Sequence, residues 1–476
     1  MMAEFPPALR DALERFGQAP LLEQAAAWSD FHRRGFRFEA DQVDWPLIQR
    51  LYHAAAGLVP NPQEDPRVLA RRAVPPQRLI KQPLTADDRR SWALAKSRGE
   101  AALRAGEVAA ILVAGGQGTR LGISDPKGTF PIGPLTGKPL FQLFCEQLQA
   151  RQQRYGVRIP YAIMTSDATH AATLADFEAH DYYGLNPEDV WFFPQGNMPA
   201  VDAQTGVALL AGPGRLALSP DGHGGILAAL QRHGILERFA ERGIETLYYH
   251  QVDNPSTPVC DPCFLGWHLV AGAEVSTKVV AKRSAEEKMG VIVSIDGKLQ
   301  VIEYSDLPAE LAAETDAEGQ LRFWAGNTAM HVFSRRFLER VAADDRALPF
   351  HAARKVVPYW TPDGVVTPEQ PNGLKFERFI FDVLPWADQA LIVEGDRAEE
   401  FNPVKNKEGH DSPATATAAL QAVYRRWIRQ AGGEIGDAVP IEISPLVALE
   451  ADDLRDWIAT GPDLSGPVLL APNRSR

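Results

Sequence analysis

The chain has 476 residues, 45% of them hydrophobic and 23% charged, and a formal net charge of −12. This composition is typical of a globular protein and excludes disorder as the main state. At about 100–200 residues per domain, the length predicts roughly two to four domains. An acidic chain binds nucleic acid polymers and anionic membranes poorly, so we expect neither as a partner.

Cysteine content and the absence of targeting signals point to a reducing compartment. Cys145, Cys260 and Cys263 are too few for a disulfide framework. No apolar run approaches the roughly 20 residues of a membrane span, and no secretory signal pattern is evident. We therefore expect a cytoplasmic protein. The Cys260-x-x-Cys263 spacing lacks a second ligand pair for zinc, so we interpret it as structural.

The first hundred residues predict an accessory segment of helices and connectors. Residues 8–17 and 21–34 carry apolar side chains at helical spacing. Residues 59–68 and 73–84 are rich in proline and predict extended surface connectors. We expect an N-terminal helical segment over residues 1–104.

The pattern changes near residue 108, where strands and helices begin to alternate. Residues 108–114 form a continuous apolar run, which is typical of a parallel strand buried on both faces. Helical spacing follows at 139–148, and further strands are predicted at 160–165 and 246–252. This alternation predicts an α/β fold with a Rossmann-like, mostly parallel central sheet. We assign residues 105–390 to this catalytic domain.

Two regions depart from that alternation. Residues 275–333 contain short alternating segments separated by Asp-Gly, which predict an inserted antiparallel β region. After Asn372-Gly373, apolar residues at 376, 379, 380 and 383 predict a helix. Residues 391–476 predict a small C-terminal domain with helices over 415–430 and 450–458 and a strand within 440–449.

A glycine-rich loop follows the first predicted buried strand. Its sequence is GGQGTRLG at residues 115–122, and Pro126-Lys127-Gly128 comes shortly after. Glycines at such a point let backbone N–H groups approach an anion without interference from a Cβ atom. Arg120 and Lys127 add two cations, so the segment suits a polyphosphate. We expect a helix to follow the loop.

Two familiar phosphate loops do not match this chain. A Walker A loop needs four residues between its glycines and Ser or Thr after the lysine. The candidate at residues 133–139 has three residues between them and a proline after Lys138. In the dinucleotide fingerprint G-x-G-x-x-G, Leu121 stands where the third glycine belongs. A Rossmann oxidoreductase is therefore a weak alternative.

Further motifs occur in a fixed order along the chain. They are PDGHGG (220–225), VDN (252–254), EYSD (303–306), AGN (325–327), PNGLKFERFIFD (371–382) and EEFNPVKN (399–406). Together with the glycine loop, this set resembles the UDP-N-acetylhexosamine pyrophosphorylases of the type 1 UDP-sugar pyrophosphorylase family. The resemblance covers about residues 105–432. It implies a sugar nucleotidyltransferase fold of the GT-A-like kind and synthesis of a UDP-sugar and pyrophosphate from UTP and a sugar 1-phosphate.

The resemblance also implies roles for individual residues. Those implied to bind the nucleotide are Val113, Ala114, Gly115, Gly116, Gly118, Thr119, Gln195, Gly222 and Asp253. Those implied to bind the sugar phosphate are His223, Gly290, Glu303, Tyr304, Asn327, Phe381 and Lys405. The catalytic cations would be Arg120, Lys127 and Lys375, and Asp253 would hold Mg²⁺.

The chemistry of that reaction suits these residue types. The second pKa of a phosphomonoester is about 6, so the attacking oxygen is already ionised and needs no general base. The difficulty is to gather anions and stabilise the leaving pyrophosphate, which calls for cations, amides and a metal. Asp253 follows a predicted strand, where a carboxylate suits Mg²⁺. The side-chain amide of Gln195 offers the donor and acceptor that pair with uracil.

His223 departs from the resemblance and leaves the sugar open. N-acetylhexosamine enzymes carry Asn at this position, whereas His-Gly is similar to UDP-glucose and broad-specificity pyrophosphorylases. We favour N-acetylglucosamine 1-phosphate, with glucose 1-phosphate second. A non-catalytic UDP-sugar-binding protein is an alternative from another class, although it would have lost the phosphate cations that are present here.

Overall fold

The computed structural model describes residues 5–60, 64–344 and 347–472. Its contacts divide the chain into two compact units. Unit 1 comprises Met1–Asp65, Gln195–Ala228 and Arg346–Asp382; unit 2 comprises Pro66–Pro194, Ala229–Asp345 and Val383–Arg476. The units cut across the ranges 1–104, 105–390 and 391–476 expected from the sequence. Cores are built from segments distant along the chain, and composition along the chain does not reveal which segments pack together.

The helices begin and end as follows. They are α1 Pro7–Arg15, α2 Ala19–Ala25, α3 Asp30–Ala40, α4 Trp45–Ala55, α5 Pro66–Arg72, α6 Ala86–Arg104, α7 Leu140–Tyr155, α8 Asp167–Ala179, α9 Ile226–Arg232, α10 Ile235–Glu241, α11 Pro262–Val270, α12 Ala309–Ala312, α13 Arg335–Ala342, α14 Arg397–Glu400, α15 Pro413–Gln430 and α16 Arg455–Ala459. Within the described ranges, none of them is long and apolar enough to cross a membrane.

The strands have these bounds. They are β1 Leu79–Ile80, β2 Val108–Val113, β3 Tyr161–Thr165, β4 Val190–Pro194, β5 Asn197–Pro199, β6 Val201–Asp202, β7 Leu210–Gly212, β8 Arg215–Leu216, β9 Leu218–Pro220, β10 Thr246–Gln251, β11 Val275–Ala281, β12 Val291–Ile295, β13 Lys298–Ile302, β14 Ala325–Ser334, β15 His351–Lys355, β16 Tyr359–Thr361, β17 Gly364–Val366, β18 Gly373–Glu377, β19 Ala390–Glu394, β20 Ile441–Ile443 and β21 Val468–Leu470.

The large sheet of unit 2 has the strand order β1-β19-β11-β14-β10-β2-β3-β4. Its pairs are parallel except where β14 lies between β11 and β10. Val113 at the end of β2 is in register with Gln251 of β10 and with Met164 of β3. The loops that leave these strands therefore emerge side by side at one edge of the sheet. The predicted mostly parallel α/β sheet is confirmed.

The predicted antiparallel insertion is also present in unit 2. Strands β12 and β13 form a hairpin, and β12 also pairs with β14. At the hairpin turn Asp296 has a φ of 50° and Gly297 a φ of 79°, the left-handed conformation that short hairpin turns require. Strands β11 and β14 pair with a bulge between Lys278 and Val279.

Two local predictions were wrong. The helix expected over 376–383 is strand β18 followed by a 3-10 turn, Ile380–Trp386; pairing of β18 with β15 and β6 overrides the helical spacing of its apolar residues. Part of the predicted connector 73–84 is β1, the edge strand of the large sheet. The helix predicted after the glycine loop, over 139–148, is confirmed as α7, and the 3-10 turns Thr119–Leu121 and Lys127–Thr129 precede it.

Each unit has its own core. In unit 1, Leu13, Leu21 and Phe36 of the N-terminal helices pack with Val201 and Phe376 of two strands. The residues expected to form an accessory segment thus share a core with sheet residues far along the chain. In unit 2, α6 and α11 meet at backbone distance, since a Cβ on Gly99 would lie 1.9 Å from the Pro262 carbonyl oxygen.

A buried histidine lies in the middle of the unit 2 sheet. His250 of β10 is inaccessible to solvent, and its Nε2 is 3.2 Å from the hydroxyl of Tyr161. Its ring also contacts the edge of Phe144, with ring centres 4.9 Å apart. Burial lowers the pKa of His250 to about 3 because the charged imidazolium loses its hydration. His250 is therefore a neutral core residue.

Candidate functional site

The glycine-rich loop begins where β2 ends at the edge of the sheet in unit 2. The N–H of Ala114 donates to the carbonyl oxygen of Met164 at 2.8 Å. The hydroxyl of Ser166 donates to the carbonyl oxygen of Gly115, also at 2.8 Å. Further along, the N–H of Lys127 donates to the carbonyl oxygen of Gly116 at 3.1 Å. The loop is thus closed on itself and fixed to the next strand of the sheet.

Several backbone amides of this loop remain available. Within the described part of the chain, the N–H groups of Gly115, Gly116 and Gln117 donate no hydrogen bond. Gly116 and Gln117 are exposed, and a Cβ added to Gly116 would meet nothing within 4 Å. Consecutive free amides on an exposed loop form a binding place for an anion.

Other glycines of the loop are required by the packing of the chain itself. A Cβ on Gly118 would lie 2.2 Å from the Cγ1 atom of Ile123. A Cβ on Gly128 would lie 2.1 Å from the ring of Phe141, which is buried in the core. The sequence predicted these glycines to admit an anion, but the structure shows that two of them first permit the loop to close.

Cations border the loop. Lys127 is half-buried, and its Nζ donates to the carbonyl oxygen of Val404 at 3.2 Å. Burial lowers the pKa of Lys127; the Asp253 carboxylate opposes this effect, whereas Lys405 and Arg120 lower the pKa further. Mutual influence of this kind requires these charged groups to be close together. The structure therefore gathers the predicted cations and carboxylate of unit 2 around Lys127.

Asp253 lies two residues beyond β10, and backbone hydrogen bonds join it to a distant segment. Its carbonyl oxygen accepts the N–H of Val404 at 2.7 Å. The neighbouring Asn254 is buried; its side-chain nitrogen donates to the carbonyl oxygen of Glu400 at 2.7 Å, and its side-chain oxygen accepts the N–H of Asn402 at 3.0 Å. The strand end thus fixes the segment that carries Lys405.

An ion-pair group around the buried Lys278 also holds the segment that carries Glu400 and Lys405. Lys278 of β11 is 2% exposed; its Nζ donates to the Asp261 carboxylate at 2.9 Å and also to the Glu400 carboxylate. Burial disfavours the Lys278 charge, but attraction to Asp261 and Glu400 outweighs burial and raises the pKa of Lys278. The sequence offered no signal for this group, since its members come from three distant segments.

A second group in unit 2 contains residues predicted to contact the sugar. The N–H of Asn327 donates to the carbonyl oxygen of Gly290 at 2.9 Å. A Cβ on Gly290 would lie 2.8 Å from Oε1 of Glu303, so a larger residue there would displace this carboxylate. Tyr304 is adjacent to Glu303 and is 48% exposed. The structure therefore brings Gly290, Glu303 and Asn327 together, with an exposed phenol next to them.

Unit 1 holds the remaining predicted residues. Gln195 is buried, with 6% of its surface exposed. Gly222 has a φ of +83°, and a Cβ there would lie 2.4 Å from the Arg378 carbonyl oxygen, so glycine is required by the backbone itself. Nδ1 of His223 accepts the N–H of Ile380 at 3.2 Å. His223 is thus held by the chain segment that also carries Phe381.

The aromatic residues around His223 form a compact cluster in unit 1. The His223 ring centre is 5.4 Å from that of Phe379 and 5.6 Å from that of Phe381. Phe381 is 7% exposed. Sequence reasoning missed Phe379, although the alternation of FIF at 379–381 was a usable signal. Lys375, predicted to open a helix, instead lies in β18 opposite Ala353 of β15 and is half-buried.

Metal and thiol chemistry have limited candidates. In residues 5–60, 64–344 and 347–472, no group of three or more His, Cys, Asp or Glu side chains is placed to hold a metal ion. Burial raises the pKa of both Cys260 and Cys263 to about 12, so neither forms a reactive thiolate near neutral pH. Both are free thiols, as is Cys145. Asp253 is a carboxylate within electrostatic reach of Lys127.

A parallel sheet with free loop amides, cations and a carboxylate at the carboxyl ends of its strands is typical of nucleotide-binding α/β enzymes. Residues 77–432 match the family model described as UTP--glucose-1-phosphate uridylyltransferase. The chain belongs to this family and is a uridylyltransferase of the UDP-sugar pyrophosphorylase type.

Individual relatives cover three quarters or more of the chain. The mouse UDP-N-acetylhexosamine pyrophosphorylase-like protein 1 is 36% identical over 502 residues, covering 98% of this chain and 97% of that protein. The Saccharomyces cerevisiae UDP-N-acetylglucosamine pyrophosphorylase is 40% identical over 378 residues, covering 77% and 79%. An inhibitor complex of the Trypanosoma brucei UDP-N-acetylglucosamine pyrophosphorylase has a TM-score of 0.84 at 27% identity, covering 98% of each chain.

Proposed function

We propose that this uridylyltransferase makes UDP-N-acetylglucosamine and pyrophosphate from UTP and N-acetylglucosamine 1-phosphate. The observation that carries the proposal is the glycine loop of unit 2, whose free amides lie beside Lys127 and its charged neighbours. The choice of sugar is supported by the relatives above, whose names specify UDP-N-acetylhexosamine or UDP-N-acetylglucosamine.

The loop and cations suit displacement at the α-phosphorus of UTP. The sugar 1-phosphate oxygen attacks that phosphorus, and the bond to the leaving pyrophosphate breaks. Burial and neighbouring cations lower the pKa of Lys127. The negative charge of a bound polyphosphate would offset these cations and favour the protonated form of Lys127. We assign Lys127 and Arg120 to the phosphates of UTP and Lys405 to the sugar phosphate.

Mg²⁺ fits the donor set beside the loop. Asp253 offers one half-buried carboxylate within electrostatic reach of Lys127. One or two carboxylates completed by substrate phosphates and water are the usual magnesium ligands in such enzymes. We therefore propose that Asp253 holds Mg²⁺, which when bound would neutralise charge on the departing pyrophosphate.

Residues of unit 1 have proposed roles with UTP as well. The buried side-chain amide of Gln195 suits the donor and acceptor edge of uracil. Lys375 is half-buried on β18, and we assign it to the α-phosphate. Pairing of β18 with β15 fixes the backbone of this lysine opposite Ala353.

A second candidate for the sugar substrate is glucose 1-phosphate. The Glu303 carboxylate beside Gly290 accepts hydrogen bonds from sugar hydroxyls, which both N-acetylglucosamine and glucose provide. His223, where the N-acetylhexosamine pattern has Asn, and the glucose named in the family description favour glucose 1-phosphate as the alternative.

The test is pyrophosphate release from UTP and Mg²⁺ with a panel of sugar 1-phosphates. We expect the highest kcat/KM with N-acetylglucosamine 1-phosphate. A preference for glucose 1-phosphate would establish the second candidate, and no release with any sugar would reject the proposed reaction. UDP-sugar binding without turnover would support a non-catalytic protein. His223→Asn tests the position: a specificity unchanged by this substitution would contradict a role for His223 in sugar choice.

We also propose that the enzyme acts in the cytoplasm. The presence of Cys145, Cys260 and Cys263 as free thiols supports this, because a reducing compartment keeps thiols unpaired. Fluorescence microscopy of the tagged full chain, with fractionation of its source cells, measures this directly; recovery from an exported fraction would contradict it.

A further inference from the structure

His351 and Asp382 form a hydrogen-bonded pair that no assigned role uses. His351 is the first residue of β15, and its Nε2 lies 2.7 Å from Oδ2 of Asp382. The side chains are 35% and 19% exposed. The imidazole ring stacks on Phe379, with ring centres 4.7 Å apart and planes inclined by 29°. His351 and Asp382 belong to unit 1, as does His223, which is more than a hundred residues earlier in the chain.

The contacts of this pair return to a single residue, Phe379. The N–H of Asp382 donates to the carbonyl oxygen of Phe379 at 3.1 Å. The Asp382 carboxylate accepts from His351, and the His351 ring covers the ring of Phe379. Three contacts thus link Phe379, Asp382 and His351 in a ring: a backbone hydrogen bond, a side-chain hydrogen bond and a ring stack. A partly exposed histidine would otherwise move among rotamers, but here its orientation is fixed at the carboxylate.

The same stack continues to residues assigned to the sugar. The Phe379 ring is 5.1 Å from the ring of Phe381, with planes inclined by 26°. His223 contacts both of these rings, and its Nδ1 accepts the N–H of Ile380 between them. The positions of Phe381 and His223 therefore depend on Phe379, whose ring also stacks on that of His351.

We propose that His351, oriented by Asp382, is a positioning residue for selection of the sugar 1-phosphate. It fixes the Phe379–Phe381 pair and, through that pair, the ring of His223. The inference rests on the proposed function, which assigns His223 and Phe381 to the sugar substrate. His351 itself need not touch the sugar, and UTP binding and the transfer step do not depend on it.

The test separates stacking from hydrogen bonding with paired variants. His351→Ala removes both interactions, and we expect the KM for the preferred sugar 1-phosphate to rise roughly three- to tenfold, less than a ring pair and a hydrogen bond cost directly, because His351 acts on the sugar only through Phe379. The KM for UTP and kcat should stay within about twofold. His351→Phe retains the stack and should recover part of the loss. Asp382→Asn retains an acceptor and should stay closer to the wild type than Asp382→Ala.

A matched control and a measure of folding complete the design. His180 also stacks on an aromatic ring, that of Tyr183 at 5.0 Å, but lies in unit 2; His180→Ala should leave both KM values unchanged. Thermal unfolding establishes that each variant is folded. Equal changes in the two KM values, or none, in folded His351→Ala would overturn the positioning role. If the wild type itself releases no pyrophosphate with any sugar, the proposed function fails instead, so the two failures are distinguishable.

Discussion

Substitution of Lys127 by methionine tests the cationic loop most directly. Methionine keeps a long unbranched side chain but removes the charge. The lysine is half-buried, and Arg120 and Lys405 disfavour its charge in the free protein. Its loss costs the hydrogen bond to the Val404 carbonyl, about 1 kcal/mol, but relieves repulsion and burial of a charge. We therefore expect little change in the free energy of unfolding.

The effect on catalysis should be much larger. Removal of one preorganised donor to developing charge typically costs about 2.7–4 kcal/mol, a factor of roughly 10²–10³ in kcat. The assay is pyrophosphate release at saturating UTP, Mg²⁺ and sugar 1-phosphate, with thermal unfolding recorded for each variant. Lys81→Met is the matched control, because Lys81 is an exposed lysine in the same unit. A folded Lys127→Met enzyme with kcat within about tenfold of the wild type would refute the assigned role.

The lowered pKa of Lys127 gives this prediction a pH signature. In the free enzyme the lysine loses its proton at a lower pH than an ordinary lysine, whose pKa is about 10.4. The kcat/KM for UTP reports groups of the free enzyme, so it should fall as pH rises through that lowered pKa. Lys127→Arg keeps its charge over this range. In the Lys127→Arg enzyme, the fall of kcat/KM for UTP at alkaline pH should therefore move to higher pH. A fall at the same pH as in the wild type would mean that a group other than Lys127 causes it.

Three further predictions concern stability. Gly128→Ala should lower the free energy of unfolding by about 1–3 kcal/mol, because its Cβ would overlap the buried ring of Phe141; Gly116→Ala, with open space around its Cβ, should change it by less than about 0.5 kcal/mol. Equal effects of the two in urea unfolding would contradict this geometry. Lys278→Met leaves two half-buried carboxylates without their cation and should cost about 3–5 kcal/mol by the same measurement, whereas a loss below about 1 kcal/mol would show that water or protonation compensates. His250 has a pKa of about 3 when folded and about 6.5 when unfolded, so below pH 6.5 the unfolded chain binds the extra proton and stability falls as pH decreases. His250→Leu should reduce that slope by about 1.4 kcal/mol per pH unit; an unchanged slope would mean that His250 is not the group responsible.

The ordered motifs and one buried strand were sufficient to predict the fold class and the reaction. Residues 108–114 are apolar throughout, which only a strand buried on both faces explains well, and the glycines after it place backbone amides where an anion can reach them. These are local properties, because a short stretch of consecutive residues shows both the apolar run of the strand and the glycines of the loop. The parallel sheet and the antiparallel insertion followed from the same local periodicity.

Residue placement within the later motifs was less predictable. The apolar residues at 376, 379, 380 and 383 fit a helical period, yet residues 373–377 form a strand because two other strands pair with it. Strand pairing depends on partners that come from elsewhere in the chain, and one segment cannot reveal them. The contact of His351 with Phe379 was missed for the same reason, since it joins two separate segments.

The sequence by itself determined the α/β class, the glycine-rich loop after β2 and the types of residue available for phosphate chemistry. Tertiary structure alone decided which charges meet: Lys127 acquires its lowered pKa from burial, Lys405 and Arg120, and Lys278 finds its carboxylates on distant segments. It also decided that Gly118 and Gly128 serve packing and that residues 5–60 share a core with strands near 201 and 376. The physical reason is that hydrophobic periodicity acts between neighbours in sequence, whereas electrostatic interaction, steric exclusion and core packing act between neighbours in space.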